Sequence, residues 1–296
     1  MIPFNTEWEN YLEMKVYIAD PHFHEKNKQG LYRMIQHLGW TVTNLLLEAD
    51  VVYSPNAPLN VEQYPSKRFL FGPHFGVYPQ VLPQIQRING MYNNAIYLQP
   101  SLWVTNLFQM RLHTIPVKQL AFPIDMDKFK PKAPKEPTVL LYSKVMLYCK
   151  RRDPALFEYA KQFLEKKGYD VVEIKYGSYK EADFLKALQT VSCALWIGCH
   201  ESQGFAFGET LASGVPICVW NVTSLQDEWG GGRPDIPATT CAYWSPLCGE
   251  VFYTKEELEP TWQTFQTKLS QYRPREFVQK ELSVEACAER LQKILQ

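Results

Sequence analysis

Cys193-Ala-Leu-Trp-Ile-Gly198, then Glu201-Ser-Gln-Gly-Phe-Ala-Phe-Gly-Glu209, then Gly214-Val-Pro216 is the stretch on which the reading of this chain turns. The first six residues carry no charge and do not alternate, the pattern of a strand buried on both faces of a parallel sheet. A glycine-bearing loop follows, then a short helix over roughly 206–213. Gly214-Val-Pro216 ends that helix, because glycine takes the left-handed terminal position and proline cannot continue the turn. Glu201 and Glu209 stand eight positions apart across this unit. Loop glycines let backbone N–H groups come close to a ligand, and a helix N-terminus carries partial positive charge that suits a diphosphate. A carboxylate accepts hydrogen bonds from paired hydroxyls. The set suits a sugar carried on a nucleoside diphosphate; the plainer alternative is a solvated loop whose helical Glu209 complements the dipole.

Short apolar runs alternate with helical patterns along the whole chain, the rhythm of parallel βαβ units. In the first part, strands are predicted at 15–19, 49–53, 68–71, 95–98 and 118–122, with a weaker candidate at 41–45. Helices are predicted over 28–38 and 102–112, the second with Ser101 at its N-cap. Residues 124–137 carry three prolines and several charges and read as a linker. A second series follows: a strand at 138–142, a helix from Asp153-Pro154 to Lys167, and a strand at 170–176. Ser178-Tyr-Lys-Glu181 reads as a capping box opening a helix to about 191, and a strand at 217–220 follows the central unit. Leu156, Phe157, Ala160, Phe163 and Leu164 share one helical face, a candidate core stripe. The expected organisation is one α/β domain over 1–122, a second over 124–275, and a terminal helix over 276–296.

The central unit resembles the signature of retaining glycosyltransferases with the GT-B fold, the E-x7-E type of glycosyltransferase family 4. Three segments carry the likeness. The first is Cys199-His-Glu-Ser-Gln-Gly-Phe-Ala-Phe-Gly-Glu-Thr-Leu-Ala-Ser-Gly-Val-Pro-Ile217, with the glycine two positions later than the family places it. The second is Phe122-Pro-Ile-Asp-Met-Asp-Lys-Phe-Lys-Pro131, similar to the family's interdomain segment but lacking its Asn-Gly pair. The third is Ser143-Lys144 with Lys150 six positions on, similar to the family's G-R-x5-K, with Ser for Gly and Lys for Arg. The final helix, 282–295, resembles the helix with which many members close and cross back to the first domain.

The resemblance implies two Rossmann-like α/β domains facing across a cleft, acceptor on the first and nucleotide-sugar donor on the second. It implies that Glu209 binds ribose hydroxyls, that Lys144 and Lys150 hold the diphosphate, and that backbone groups of Gly204, Phe205 and Ala206 help. It further implies that Glu201 contacts the transferred sugar and that His74, after the strand at 68–71, lies near it. The donor would be UDP-, GDP- or TDP-linked and the acceptor a glycan or other hydroxyl compound, with retention of configuration and no cofactor or metal. Two other activities fit the same fold: a nucleotide-sugar epimerase, and a non-catalytic glycan- or nucleotide-binding form.

Bulk properties narrow the classes further. The chain has 296 residues, with 46% apolar and 21% charged side chains, the mix of a globular protein. Lys plus Arg equals Asp plus Glu at 31 each, which argues against a nucleic-acid partner and leaves at most peripheral membrane contact. Seven cysteines lie without a C-x-x-C pair, and Cys193 and Cys218 fall inside apolar runs as core residues. With no leader or long apolar span in the sequence, a cytoplasmic location is expected. Asp125-Met-Asp127 is a D-x-D, the metal motif of another glycosyltransferase fold; solvated linker acids are the simpler reading. His22, His24 and His200 are weaker contact candidates, and aromatic residues over 69–78 and 103–108 are either glycan platforms or core.

Overall fold

The computed structural model describes residues 13–56, 59–73, 94–133, 137–144, 155–229 and 235–296. They fall into two compact units: Ile124–Ser283, and the residues up to Pro123 together with Val284–Gln296.

The first unit is built on six strands: β1 (Lys15–Ile18), β2 (Thr41–Thr43), β3 (Val51–Ser54), β4 (Arg68–Phe71), β5 (Ala95–Gln99) and β6 (Val117–Gln119). They form one sheet in the order β2-β1-β3-β4-β5-β6, every neighbouring pair parallel. Helix α1 (Glu25–His37) joins β1 to β2, and α2 (Leu102–Gln109) joins β5 to β6. Phe69, Phe71, Tyr97 and Phe108 are buried, and Tyr97 stacks on Phe108 with ring centroids 5.3 Å apart. These aromatics are core, while residues 74–78 lie outside the described residues. Ser101 does occupy the N-cap of α2 in an extended conformation, but its hydroxyl makes no capping bond; its carbonyl instead receives the Thr105 N–H and hydroxyl.

The second unit holds β7 (Thr138–Lys144), β8 (Asp170–Lys175), β9 (Cys193–Gly198), β10 (Ile217–Trp220) and β11 (Gly249–Phe252), all parallel, in the order β11-β10-β9-β7-β8. The helices are α3 (Leu156–Lys166), α4 (Glu181–Leu188), α5 (Phe205–Ala212), the one-turn α6 (Gln226–Trp229), α7 (Leu258–Thr267) and α8 (Pro274–Leu282). Leu156, Ala160, Phe163 and Leu164 of α3 bury against β7, β9 and β10, with Phe157 at the margin. Cys193 and Cys218 are fully buried in that core, and burial pushes the Cys218 thiol well above its usual pKa. After Ser283, α9 (Val284–Leu295) belongs to the first unit and packs on α1.

Three sequence expectations change. The capping box at Ser178 does not form: Gly177 at φ 79° closes a tight turn after β8, with the Ser178 N–H on the Lys175 carbonyl, and α4 starts only at Glu181. The long terminal helix is two, because Ser283 is extended (φ −71°, ψ 166°) between α8 and α9. Strand β11 and helix α7 were not anticipated. The proposed opening of α3 at Asp153-Pro154 lies outside the described residues.

Candidate functional site

In the second sheet the chain runs from β7 outward to β8, then returns to place β9 on the other side of β7. Open parallel sheets bind ligands at the carboxyl ends of the strands beside such a reversal, here β7 and β9. Lys144 is the last residue of β7 and pairs in register with Gly198, the last of β9. Glu201 follows three residues later, its backbone N–H held by the Thr239 carbonyl at 2.9 Å. The fold thus brings together two residues 57 positions apart.

The Lys144 ammonium lies 2.8 Å from both Glu201 Oε1 and Oε2. The side chains are only 20% and 10% exposed, so the pair is largely withdrawn from solvent. Burial alone would lower the Lys144 pKa; the charge and hydrogen bonds of Glu201 outweigh it and raise the value above that of an ordinary lysine. The ammonium also stands over the Tyr176 ring, 4.6 Å from its centroid. Beneath the pair, Tyr142 of β7 stacks on Trp196 of β9 at 3.7 Å, and burial, with Tyr179 beside it, keeps the Tyr142 phenol protonated.

Gly204 at φ 70° and ψ 55° turns the loop into α5, a left-handed conformation that a side chain disfavours. Helix α5 ends in a Schellman motif: Val215 N–H bonds to Thr210 O, Gly214 N–H to Leu211 O, and Gly214 lies at φ 77°. Glu209 lies beyond the first helical turn and is 4% exposed, so it is not a solvated dipole partner. At the far end of α5, the Arg275 guanidinium donates to the carbonyls of Ala212, Phe129 and Met126, at 2.6, 2.8 and 3.1 Å. It holds the helix C-terminus and the segment after Ile124 in place.

The carboxylate of Asp125 accepts from the N–H groups of Asp127 and Lys128 and so closes a turn. The Asp127 side chain is 98% exposed and pairs with Lys130. Among the described residues, no three His, Cys, Asp or Glu side chains gather as a metal site. His74 and Lys150 lie outside the described residues.

The first sheet has its own reversal, between β1 and β3. There Asn56 Nδ2 donates to Asp20 Oδ2 at 2.7 Å and to the His22 carbonyl at 2.8 Å. The hydrogen bond from Asn56, then that from the His22 N–H, lower the Asp20 pKa. Sequence reasoning noticed His22 but missed Asp20 and Asn56, whose signal was their position just after apolar strands.

No protein-family model and no curated protein matches the sequence. Solved structures do match in fold. AviGT4, a glycosyltransferase involved in avilamycin A biosynthesis, aligns at a TM-score of 0.55 and 14% identity, over 95% of this chain and 97% of that one. Sucrose-phosphate synthase from Thermosynechococcus elongatus aligns at 0.58 and 11%, over 95% and 98% of the two chains. An α-glucosyltransferase solved with UDP and a 13-mer DNA containing an HMU base aligns at 0.58 and 11%, over 96% and 99%. The shared property is the fold: the chain is built from two Rossmann-like α/β domains of the GT-B type. No helix among the described residues is long and apolar enough to cross a membrane.

Proposed function

We propose that the protein is a glycosyltransferase that moves a sugar from a nucleoside-diphosphate donor to a glycan or other hydroxyl acceptor, with retention of configuration. The observation that carries the reading is the Lys144–Glu201 pair at the strand reversal of the second sheet, directly ahead of the left-handed Gly204 that opens α5. In this reading the diphosphate rests at the N-terminus of α5, near the backbone of Gly204, Phe205 and Ala206. Lys150 and the Lys144 ammonium add positive charge as the leaving diphosphate gains negative charge. Glu209 takes the ribose hydroxyls and Glu201 a hydroxyl of the transferred sugar. The acceptor, with His74, is assigned to the first unit.

The names of the compared structures support glycosyl transfer, and one of them was solved with UDP. That same protein was solved with DNA, so charge balance alone argues here for a glycan rather than a nucleic-acid acceptor. Incubation with UDP-, GDP- and TDP-sugars, with and without glycan acceptors and with EDTA, tests the proposal. Acceptor-dependent release of nucleoside diphosphate that survives EDTA is expected. Product formed without acceptor would indicate epimerisation, and tight binding without turnover a non-catalytic form.

A further inference from the structure

Lys144 is held on two sides. Its two N–H···O bonds straddle the Glu201 carboxylate at equal distances of 2.8 Å. A carboxylate gripped at both oxygens cannot turn about its terminal torsion without losing one of them. On the other side stands the ring of Tyr176, at the end of β8, whose own backbone N–H is fixed on Ser143 O at 2.8 Å. A lysine has three donors and no acceptor. Glu201 engages the ammonium through both of its oxygens before any ligand arrives, and the Tyr176 ring centroid lies 4.6 Å from it.

We infer that Lys144 acts through Glu201 rather than as a direct ligand of the diphosphate: it fixes the carboxylate's orientation, and Tyr176 holds the ammonium in that place. The inference rests on the nucleotide-sugar reading. Held at both oxygens, the carboxylate keeps one orientation and still offers lone pairs to a sugar hydroxyl. Among the described residues, Glu201, Tyr176 and Cys199 act on the charge of the ammonium. Lys144 is therefore a positioning residue, and its loss weakens turnover more than nucleotide binding.

The test uses the full chain with Lys144→Met, Lys144→Arg, Tyr176→Phe, Tyr176→Leu, Glu201→Gln and the double variant Lys144→Met/Glu201→Gln. Calorimetry with UDP, GDP and TDP gives nucleotide affinity, and steady-state kinetics with the corresponding sugars gives kcat and KM. For Lys144→Met, kcat is expected to fall about 100-fold while nucleotide Kd rises less than about 5-fold. Lys144→Arg and Tyr176→Phe should recover most of the turnover, with Tyr176→Leu between. The double variant should be no slower than Glu201→Gln alone, since Lys144 has nothing left to orient. Equal losses in nucleotide affinity and kcat, or additive losses in the double variant, would make Lys144 a diphosphate ligand and overturn the inference. A wild-type protein silent towards every nucleotide sugar would instead refute the site reading, and the transfer role of Lys144 with it. The pair itself is then judged by urea unfolding of the same variants, where additive effects would refute it.

Discussion

A β-carbon placed on Gly204 would meet Glu201 Cβ at 3.4 Å, while φ 70° at Gly204 is a conformation that side chains rarely adopt. At 3.4 Å that contact is an ordinary one, so the demand for glycine is conformational: Gly204 turns the loop into α5 with Glu201 packed against the turn. Gly204→Ala is expected to cost about 1–2 kcal/mol of stability and to weaken nucleoside diphosphate binding. Urea unfolding and calorimetry on the purified variant check both. An alanine variant as stable as the parent, with unchanged affinity, would mean that the turn does not shape the site.

Glu209→Ala is expected to weaken nucleotide binding, and Glu201→Ala to lower turnover more than nucleotide affinity. Removing Glu201 also strands the Lys144 ammonium in a withdrawn place, so a stability loss of up to about 3 kcal/mol should accompany it. Glu201→Gln keeps the shape and accepts one hydrogen bond, and should lose less stability. Parallel measurement of Kd, kcat and unfolding separates the two acids. Identical profiles for Glu201→Ala and Glu209→Ala would defeat the division of roles.

The raised pKa of Lys144 has a consequence for alkaline stability. A group whose folded pKa lies above its unfolded value of about 10.5 binds its proton more tightly when folded. Its contribution is complete below that value and disappears as pH climbs through the folded pKa. The stability difference between the parent and Glu201→Gln should therefore be level near neutral pH and shrink as pH rises into the alkaline range, the decline starting below the ordinary lysine value because burial without Glu201 lowers the variant's Lys144 pKa. Urea midpoints of both proteins from pH 7 to about 11.5 would show this. A difference that shrinks on the acid side of neutrality instead would mean that another group governs it.

Much of this architecture is legible in the sequence because parallel strands buried on both faces announce themselves. Residues 193–198 and 217–220 form β9 and β10 at the bounds that their apolar runs give. Gly214 and Pro216 likewise end α5 as their chemistry dictates. What stayed hidden depends on register and on distant partners. Lys144 meets Glu201 only because β7 and β9 pair with Lys144 beside Gly198, a fact that no local pattern carries. The capping box misled because Gly177, one position earlier than Ser178, was free to turn the chain first. Helix α7 was obscured by Pro260, tolerated because it falls at the helix start, and β11 by Gly249-Glu250, which breaks the apolar run that marks a buried strand. The Asp20–Asn56 bond likewise joins loops after two different strands, and neither residue alone marks a site.

Strand β11 depends on one missing side chain. A β-carbon on Gly249 would stand 2.0 Å from the backbone oxygen of Ile217, its register partner in β10. Backbone atoms cannot yield as a flexible side chain can. Gly249→Ala is expected to destabilise the protein by more than about 3 kcal/mol, whereas Gly168→Ala, with nothing within 4 Å of the added carbon, should show only the modest strain of φ 86°. Comparison of the two unfolding midpoints makes the point, and equal values would show that β11 can shift without loss.

Arg275 gives the last expectation, since it links the stability of the second unit to its site. Its guanidinium donates to three carbonyls, those of Ala212, Phe129 and Met126. One of these terminates α5, the helix whose other end faces the proposed diphosphate. Charged donors to carbonyls contribute about 1.5–3 kcal/mol each at most, and these three share one side chain, so their loss is not additive. Arg275→Ala should therefore lower stability by about 2–4 kcal/mol. Arg275→Lys should restore only part of it, because an ammonium lacks the planar fork that reaches three acceptors at once. If α5 is the diphosphate cradle, nucleotide affinity should also fall in Arg275→Ala although the residue is placed at the opposite end of the helix. Calorimetry at a temperature where the variant remains folded distinguishes the outcomes: lost stability with intact affinity would confine Arg275 to holding the fold, and loss of neither would show that its carbonyl bonds carry no weight.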